Sequence, residues 1–242
     1  MKKAIIYLAV FLLLAVSLAA AAGCGGQGGA ESRQQAEPAS GQQRAAPDPS
    51  RTVTMNGRSV GELWMKHWGF VWDGPVQKDG YFLDYKELDA NDIPSSFSKN
   101  VEGLAPGSVV FFKFCFADFD GSNLSQREGE LEQVLATAKA KGLELIVGNA
   151  LPVRKQDGTP EIVSEERKFD SFLARKAASG GDVWGYDMNS VLAGPDGFLM
   201  PEYASEDSHP NDAAFTALDA TFFPLLADVY AGEAGAGRVS RP

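Results

Sequence analysis

Three consecutive segments in the middle of the chain constrain its fold more than any other feature. Ser108-Val109-Val110-Phe111-Phe112-Lys113-Phe114 is a continuous β-rich run. A strand that is apolar along its whole length has to be covered on both faces. Ser125 to Lys141 follows, with Leu131, Val134, Leu135 and Ala138 at i, i+3, i+4 and i+7 and Gly142 as its stop, which predicts a helix. Leu143 to Val147 then predicts a second strand. Strand, helix and strand in immediate succession form a parallel unit, and the rest of the chain extends it. Thr52–Met55 and Tyr81–Tyr85 read as strands and Val60–Trp68 as an amphipathic helix. Ser164–Ala178 reads as a helix and Val183–Tyr186 as a short final strand. Asn211–Tyr230 reads as a closing helix with Phe215, Leu218, Phe222 and Leu225 on one face. The expected class is α/β, a three-layer sandwich around a parallel sheet, with ligands gathered at the carboxyl ends of the strands.

The chain before this domain has a different character. Met1-Lys2-Lys3 is a short basic start, and Ala4 to Ala22 are 19 almost wholly apolar residues ending in small ones, the layout of a secretory signal. A run of that length also suffices to span a bilayer. Ala21-Ala22-Gly23-Cys24 resembles the lipobox of bacterial lipoproteins, with Ala21 where leucine is commonest. The resemblance implies that the Cys24 thiol becomes a diacylglycerol thioether and that cleavage leaves Cys24 as the first residue. The protein is then expected outside the cytoplasm, tethered to a membrane and facing the periplasm or the cell exterior. From Gly25 to Ser50 there are 26 residues without a large apolar side chain, too few hydrophobes to offset their ordering entropy, so they are expected to form a flexible leash. No other stretch reads as apolar over a spanning length.

The remaining Arg51–Pro242, about 190 residues, is one domain of ordinary size. The formal charge is −10 for the whole chain and −12 once residues 1–23 are removed with Lys2 and Lys3. So acidic a surface argues against nucleic acid or anionic lipid as the main partner. With Cys24 lipidated, Cys115 is the only other cysteine, so no internal disulfide is possible, and its apolar setting reads as a small buried hydrophobe.

Only two histidines, His67 and His209, are present to serve as a base. Gly57-Arg58-Ser59-Val60-Gly61 has the form G-x-S-x-G between a strand and a helix, the setting that lifts a serine hydroxyl above a sheet; a helix-capping serine would look the same. His67 lies eight residues after Ser59 on the same predicted helix, about 12 Å along the axis and out of reach. His209 sits in the polar loop Ser205-Glu206-Asp207-Ser208-His209-Pro210-Asn211 at the entrance to the last helix. Carboxylates two and three residues earlier supply the parts of a base and its orienter. No Cys-rich or H-x-x-x-H ligand set exists, so neither a metal nor another cofactor is implied.

A serine just after the first strand and a D-x-x-H-like loop before the last helix together resemble the SGNH/GDSL hydrolase superfamily. The segments that carry the resemblance are Met55–Val60, Phe112–Phe119, Gly148–Pro152 and Asp207–Asn211, and it covers residues 52 to 230. It implies a flavodoxin-like α/β/α sandwich in which Ser59 is the nucleophile and His209 the base, with Glu206 or Asp207 as the acid. The implied activity is a serine esterase acting at the cell envelope, on O-acyl groups of a glycan or another small ester. The departures are specific. Arg58 stands where the family has the Asp of G-D-S. Cys115-Phe116-Ala117-Asp118 stands where a G-x-N-D block supplies an oxyanion donor. Gly103 is the candidate for the second-block glycine and Asn149 for the substitute donor, although Asn149 could equally cap a turn; Asp118 is a further site candidate near the carboxyl end of the central strand. These losses keep a second expectation open: a binding protein on the same fold without the chemistry.

Overall fold

The computed structural model describes residues 51–72, 74–179, 183–232 and 239–240. The signal, Cys24 and the leash lie outside the described residues. The chain runs β1 (Thr52–Gly57), α1 (Ser59–His67), β2 (Val76–Lys78), β3 (Tyr81–Glu87), α2 (Ile93–Asn100), β4 (Val109–Lys113), α3 (Leu124–Lys141) and β5 (Glu144–Gly148). It continues through α4 (Pro160–Ala178), β6 (Val183–Tyr186), α5 (Met188–Leu192), α6 (Asp212–Ala231) and β7 (Val239–Ser240). The strands form one sheet in the order β2-β3-β1-β4-β5-β6-β7. Only β2 is antiparallel to its neighbour. From β3 to β6 the order is that of a flavodoxin-like sheet, with β2 and β7 added at its edges.

Strand periodicity builds the three layers. In β4, Val109 and Phe111 face one core with α1, α5 and α6, and Val110 and Phe112 face the other with α2, α3 and α4. All five β4 residues are buried, as a doubly covered central strand requires. On the first face Phe222 of α6 touches Trp64, Phe111 and Tyr186 at ring separations of 5.0, 5.3 and 5.3 Å. Asp219, one turn earlier, accepts from the indole N–H of Trp64 at 2.8 Å and of Trp68 at 2.9 Å, so both buried tryptophans have polar partners. By length and composition α6 would itself be able to cross a bilayer, contrary to the reading that only the N-terminal run would; here its apolar face is part of this core.

The strands and long helices read from sequence are present within a few residues of their expected ends. The difference lies in short elements. Pro94 and the serines around it concealed α2, yet proline suits the first turn of a helix, and Asp92 caps it by accepting from the Ser95 N–H at 3.2 Å. Val183–Tyr186 is not the final strand, since β7 pairs with it in parallel. Two residues of sheet carry too little periodicity to be seen in a sequence.

Candidate active site

Ser59 is the first residue of α1, at the turn where β1 ends at Gly57. β1 is parallel to both β3 and β4, so this turn sits at the carboxyl edge of the sheet. Tyr85 of β3 fixes the turn from below, its hydroxyl donating to the carbonyls of Gly57 at 3.2 Å and Arg58 at 3.0 Å. Leu88 N–H donates to the Gly57 carbonyl at 2.9 Å.

His209 arrives from the far end of the chain. Its Nε2 lies 2.9 Å from Ser59 Oγ across 150 residues of sequence. Its Nδ1 lies 2.8 Å from Asp207 Oδ2. Asp207 Oδ1 accepts from the His209 backbone N–H at 2.9 Å and from Ser205 Oγ at 3.0 Å. Those donors, the backbone N–H first and the ring second, hold the Asp207 carboxyl down to about 2, so it is ionised at neutral pH. Hydroxyl, imidazole and carboxylate thus form one continuous chain of contacts, the arrangement that lets an imidazole take a proton from a serine. The edge of the Phe116 ring packs on His209, with centroids 5.2 Å apart and planes at 85°.

The sequence left Glu206 and Asp207 open as the acid, and the structure places Asp207 on the imidazole. The Glu206 side chain has no such contact; its backbone carbonyl accepts from Arg154. Arg154 was not anticipated, yet it holds the His209 loop in place. Its guanidinium also donates to the Ser205 carbonyl at 3.3 Å and to Asp157 at 2.6 Å, and its backbone N–H donates to Ser208 Oγ at 3.1 Å. No sequence motif marks it, because its partners are backbone carbonyls about fifty residues away.

Three other candidates are placed differently. Gly103 follows α2 and precedes β4, so it lies at the amino end of a strand whose carboxyl end faces the site. It is too far from Ser59 to donate to a shared ligand. Asn149 is at the correct edge, but its amide is committed elsewhere: Nδ2 donates to Asp187 at 2.8 Å, and Oδ1 accepts from the Asn189 N–H at 2.9 Å. It lines a separate cleft of about 320 Å³ with Asp170 and Asp187. Asp118 is buried near Ser59, but its oxygens accept from Arg58 and, at 2.6 Å, from the Cys115 N–H. It therefore braces Arg58 and the turn after β4, and Arg58 is the cation that this carboxylate neutralises. Cys115 is buried as expected, with Sγ 3.9 Å from Ser59 Oγ. His67 is remote from the site and packs against α6, where Nδ1 lies 3.1 Å from Asp212.

Beside the turn, Arg58, Glu87, Leu88, Asp89, Ala90, Ser96, Lys99 and Asn100 line a shallow cleft of about 460 Å³. Most of its walls are charged or polar.

No protein-family model matches the sequence, and no curated protein sequence does. Solved structures do. A GDSL-like lipase from Bacteroides thetaiotaomicron aligns over 74% of this chain and 89% of its own at 18% identity, with a TM-score of 0.56. A candidate acylhydrolase from Bacteroides fragilis aligns over 77% and 91% at 17% identity, with a TM-score of 0.56. A carbohydrate esterase family 3 protein from Talaromyces cellulolyticus aligns over 76% and 99% at 13% identity, with a TM-score of 0.52. The strand order, the serine after β1 and these likenesses agree: the domain has a divergent form of the SGNH/GDSL hydrolase fold.

Proposed function

We propose that the protein is a serine esterase in which Ser59 attacks the acyl carbon of an ester and His209 relays the proton. The observation that carries this reading is the unbroken contact chain from Ser59 Oγ through His209 to Asp207. Asp207 orients the ring and stabilises the imidazolium formed as Ser59 attacks; the imidazolium then protonates the departing alcohol, and water repeats the sequence to release the acid. The Ser59 amide, at the first turn of α1, is the donor best placed for the carbonyl oxygen, helped by the partial positive charge of the helix start.

The cleft that adjoins the Ser59 turn at Arg58 is polar, which supports a polar alcohol portion in the ester. Glu87, Asp89, Ser96, Lys99 and Asn100 offer hydrogen bonds suited to a hydroxyl-rich ligand and little apolar wall for a long chain. Together with export and a lipid anchor on Cys24, this favours O-acyl groups on an envelope glycan as the substrate class. A second reading, a glycan-binding protein without turnover, is favoured by one observation: Gly103 lies at the opposite edge of the sheet and the Asn149 amide is bonded to Asp187 and Asn189, which leaves the side-chain oxyanion donor unassigned.

Turnover of p-nitrophenyl acetate together with fluorophosphonate labelling separates the two. The esterase reading expects hydrolysis and labelling in the wild type and loss of both in Ser59→Ala, with a kcat lower by at least about 10³. A folded wild-type protein that neither turns over the ester nor takes the label would overturn the esterase reading.

A further inference from the structure

Among the described residues, only two large apolar side chains stand in solvent, and they are adjacent: Val71 and Trp72, each 63% exposed. They lie between α1 and β2. Because β2 runs antiparallel to β3 with Val76 opposite Leu83, the residues before β2 rise toward the carboxyl edge of the sheet. There the Trp72 indole packs on Phe70 and Tyr85, with ring centroids 5.3 and 5.8 Å away and planes at 67° and 68°. Phe70 and Tyr85 are themselves in edge contact at 5.8 Å, and both are buried. A ring footed on two buried rings is held in place, yet most of its surface is open. Leaving so large an apolar group in water forgoes its burial, and patches of this kind mark recognition surfaces.

The footing ties the indole to the candidate site. The Tyr85 hydroxyl donates to the Gly57 and Arg58 carbonyls, so Trp72 stands one ring away from the Ser59 turn. Glu87, two residues along β3 on the same face as Tyr85, is level with Gly57 and lines the polar cleft that adjoins Arg58. Apolar platform, polar cleft and serine turn therefore share the carboxyl edge of the sheet at β1 and β3. A sugar ring matches that combination. Its hydroxyls project around the rim and hydrogen-bond to polar side chains, while its weakly positive C–H groups stack on the electron-rich face of an indole. Other occupants match less well. Two side chains fall far short of the roughly 1,000 Å² that a stable contact with a second copy buries. The chain is acidic, and Glu62 and Glu87 both lie close enough to act on Tyr85, so an anionic bilayer would be repelled here.

We propose that Trp72 is a sugar-binding platform of the proposed esterase: it stacks on the ring of a neutral glycan whose acylated unit lies at Ser59. It touches substrate away from the reacting atoms and acts on affinity and specificity. This inference rests on the esterase reading for its substrate class, whereas the platform itself is read by binding without turnover.

The tryptophans make the test direct, because Trp64, Trp68 and Trp184 are buried and Trp72 alone of the four faces solvent. In full-length Ser59→Ala protein, which leaves esters intact, partially O-acetylated xylan or glucomannan is expected to shift the tryptophan emission to the blue. Adding Trp72→Ala is expected to abolish that shift. With Ser59 present, Trp72→Ala is expected to lower kcat/KM for the polysaccharide relative to that for p-nitrophenyl acetate by at least about 10-fold, mostly through KM, since the small ester does not reach the indole. Trp72→Phe, which keeps an aromatic face, is expected to recover part of that ratio. Emission unmoved by both polysaccharides overturns the proposal, whether or not the variants fold. So does an unchanged ratio in Trp72→Ala. A shift that appears on raising the protein concentration alone, or with vesicles of phosphatidylcholine and phosphatidylglycerol but not with polysaccharide, also overturns it and assigns the patch to self-association or to a membrane. If the wild type neither turns over p-nitrophenyl acetate nor labels at Ser59 while the Trp72-dependent shift persists, the esterase reading fails and the platform stands. An active esterase with unmoved emission overturns this inference alone.

Discussion

Asp207 and Glu206 are adjacent in one loop, and backbone geometry separates their roles. Asp207 accepts from its own loop at Ser205 Oγ and the His209 N–H, which turns its second oxygen toward the imidazole. Asp207→Asn is expected to lower kcat on p-nitrophenyl acetate by about 10²–10⁴, since the amide no longer fixes the ring tautomer or stabilises the imidazolium. Glu206→Ala is expected to stay within about 3-fold of the wild type in the same assay, because only its backbone is used. Ser59 and His209 were legible because two histidines left few choices and one of them was out of reach along its helix. The acid was not legible, because a spacing of two or three residues in a loop does not say which side chain turns inward.

At the scale of elements, α6 carries the most. It delivers the His209 loop at its start and closes one face of the sheet with Phe215, Leu218, Phe222 and Leu225. Asn211 caps its first turn by accepting from the Ala214 N–H at 3.1 Å, and its Nδ2 holds the Glu202 carbonyl at 2.8 Å, so the cap and the His209 loop are built together. Phe222→Ala removes a ring enclosed by Trp64, Phe111 and Tyr186. The expected loss is about 3–5 kcal/mol. At roughly 2–4 °C per kcal/mol for a domain of this size, that is a fall of about 10 °C in melting temperature, measurable by calorimetry. The long helices were legible because their apolar stripe repeats over several turns. α2 and α5, at eight and five residues, are too short for a stripe and are defined by the caps at Asp92 and Asp187.

Across the whole molecule, buried acids couple stability to pH. Both carboxyl oxygens of Glu166 are buried without partners. Burial, then Asp170 and Glu165, push its pKa up to about 9. Burial likewise pushes Asp170 up to about 8, against a hydrogen bond from the Ala150 N–H. Below the ordinary carboxylate values both groups are protonated whether the chain is folded or not, and they impose no penalty. Between those values and about 8 to 9 the unfolded chain has released protons that the fold retains, so stability falls as pH rises through this window. Each group contributes a slope of at most about 1.4 kcal/mol per pH unit. Glu166→Gln is expected to narrow the difference in melting temperature between pH 5 and pH 8 and to raise the value at pH 8. An unchanged difference would mean that Glu166 does not drive it.

The sequence alone was enough for the α/β class, the parallel sheet, the serine turn and the histidine, since each rests on local periodicity or on the scarcity of a residue type. Export through a lipobox at Cys24 stays an expectation from the sequence, outside the described residues. Tertiary structure decided everything that depends on facing direction. It set Asp207 on the imidazole, turned Asn149 toward Asp187 and placed Gly103 at the wrong edge of the sheet. It also brought Arg154 to the His209 loop and buried Lys113 beneath the Gly57–Gly61 turn. The reason is physical: hydrogen bonds and burial act over a few ångströms in space, whereas the partners involved are up to 150 residues apart in the chain.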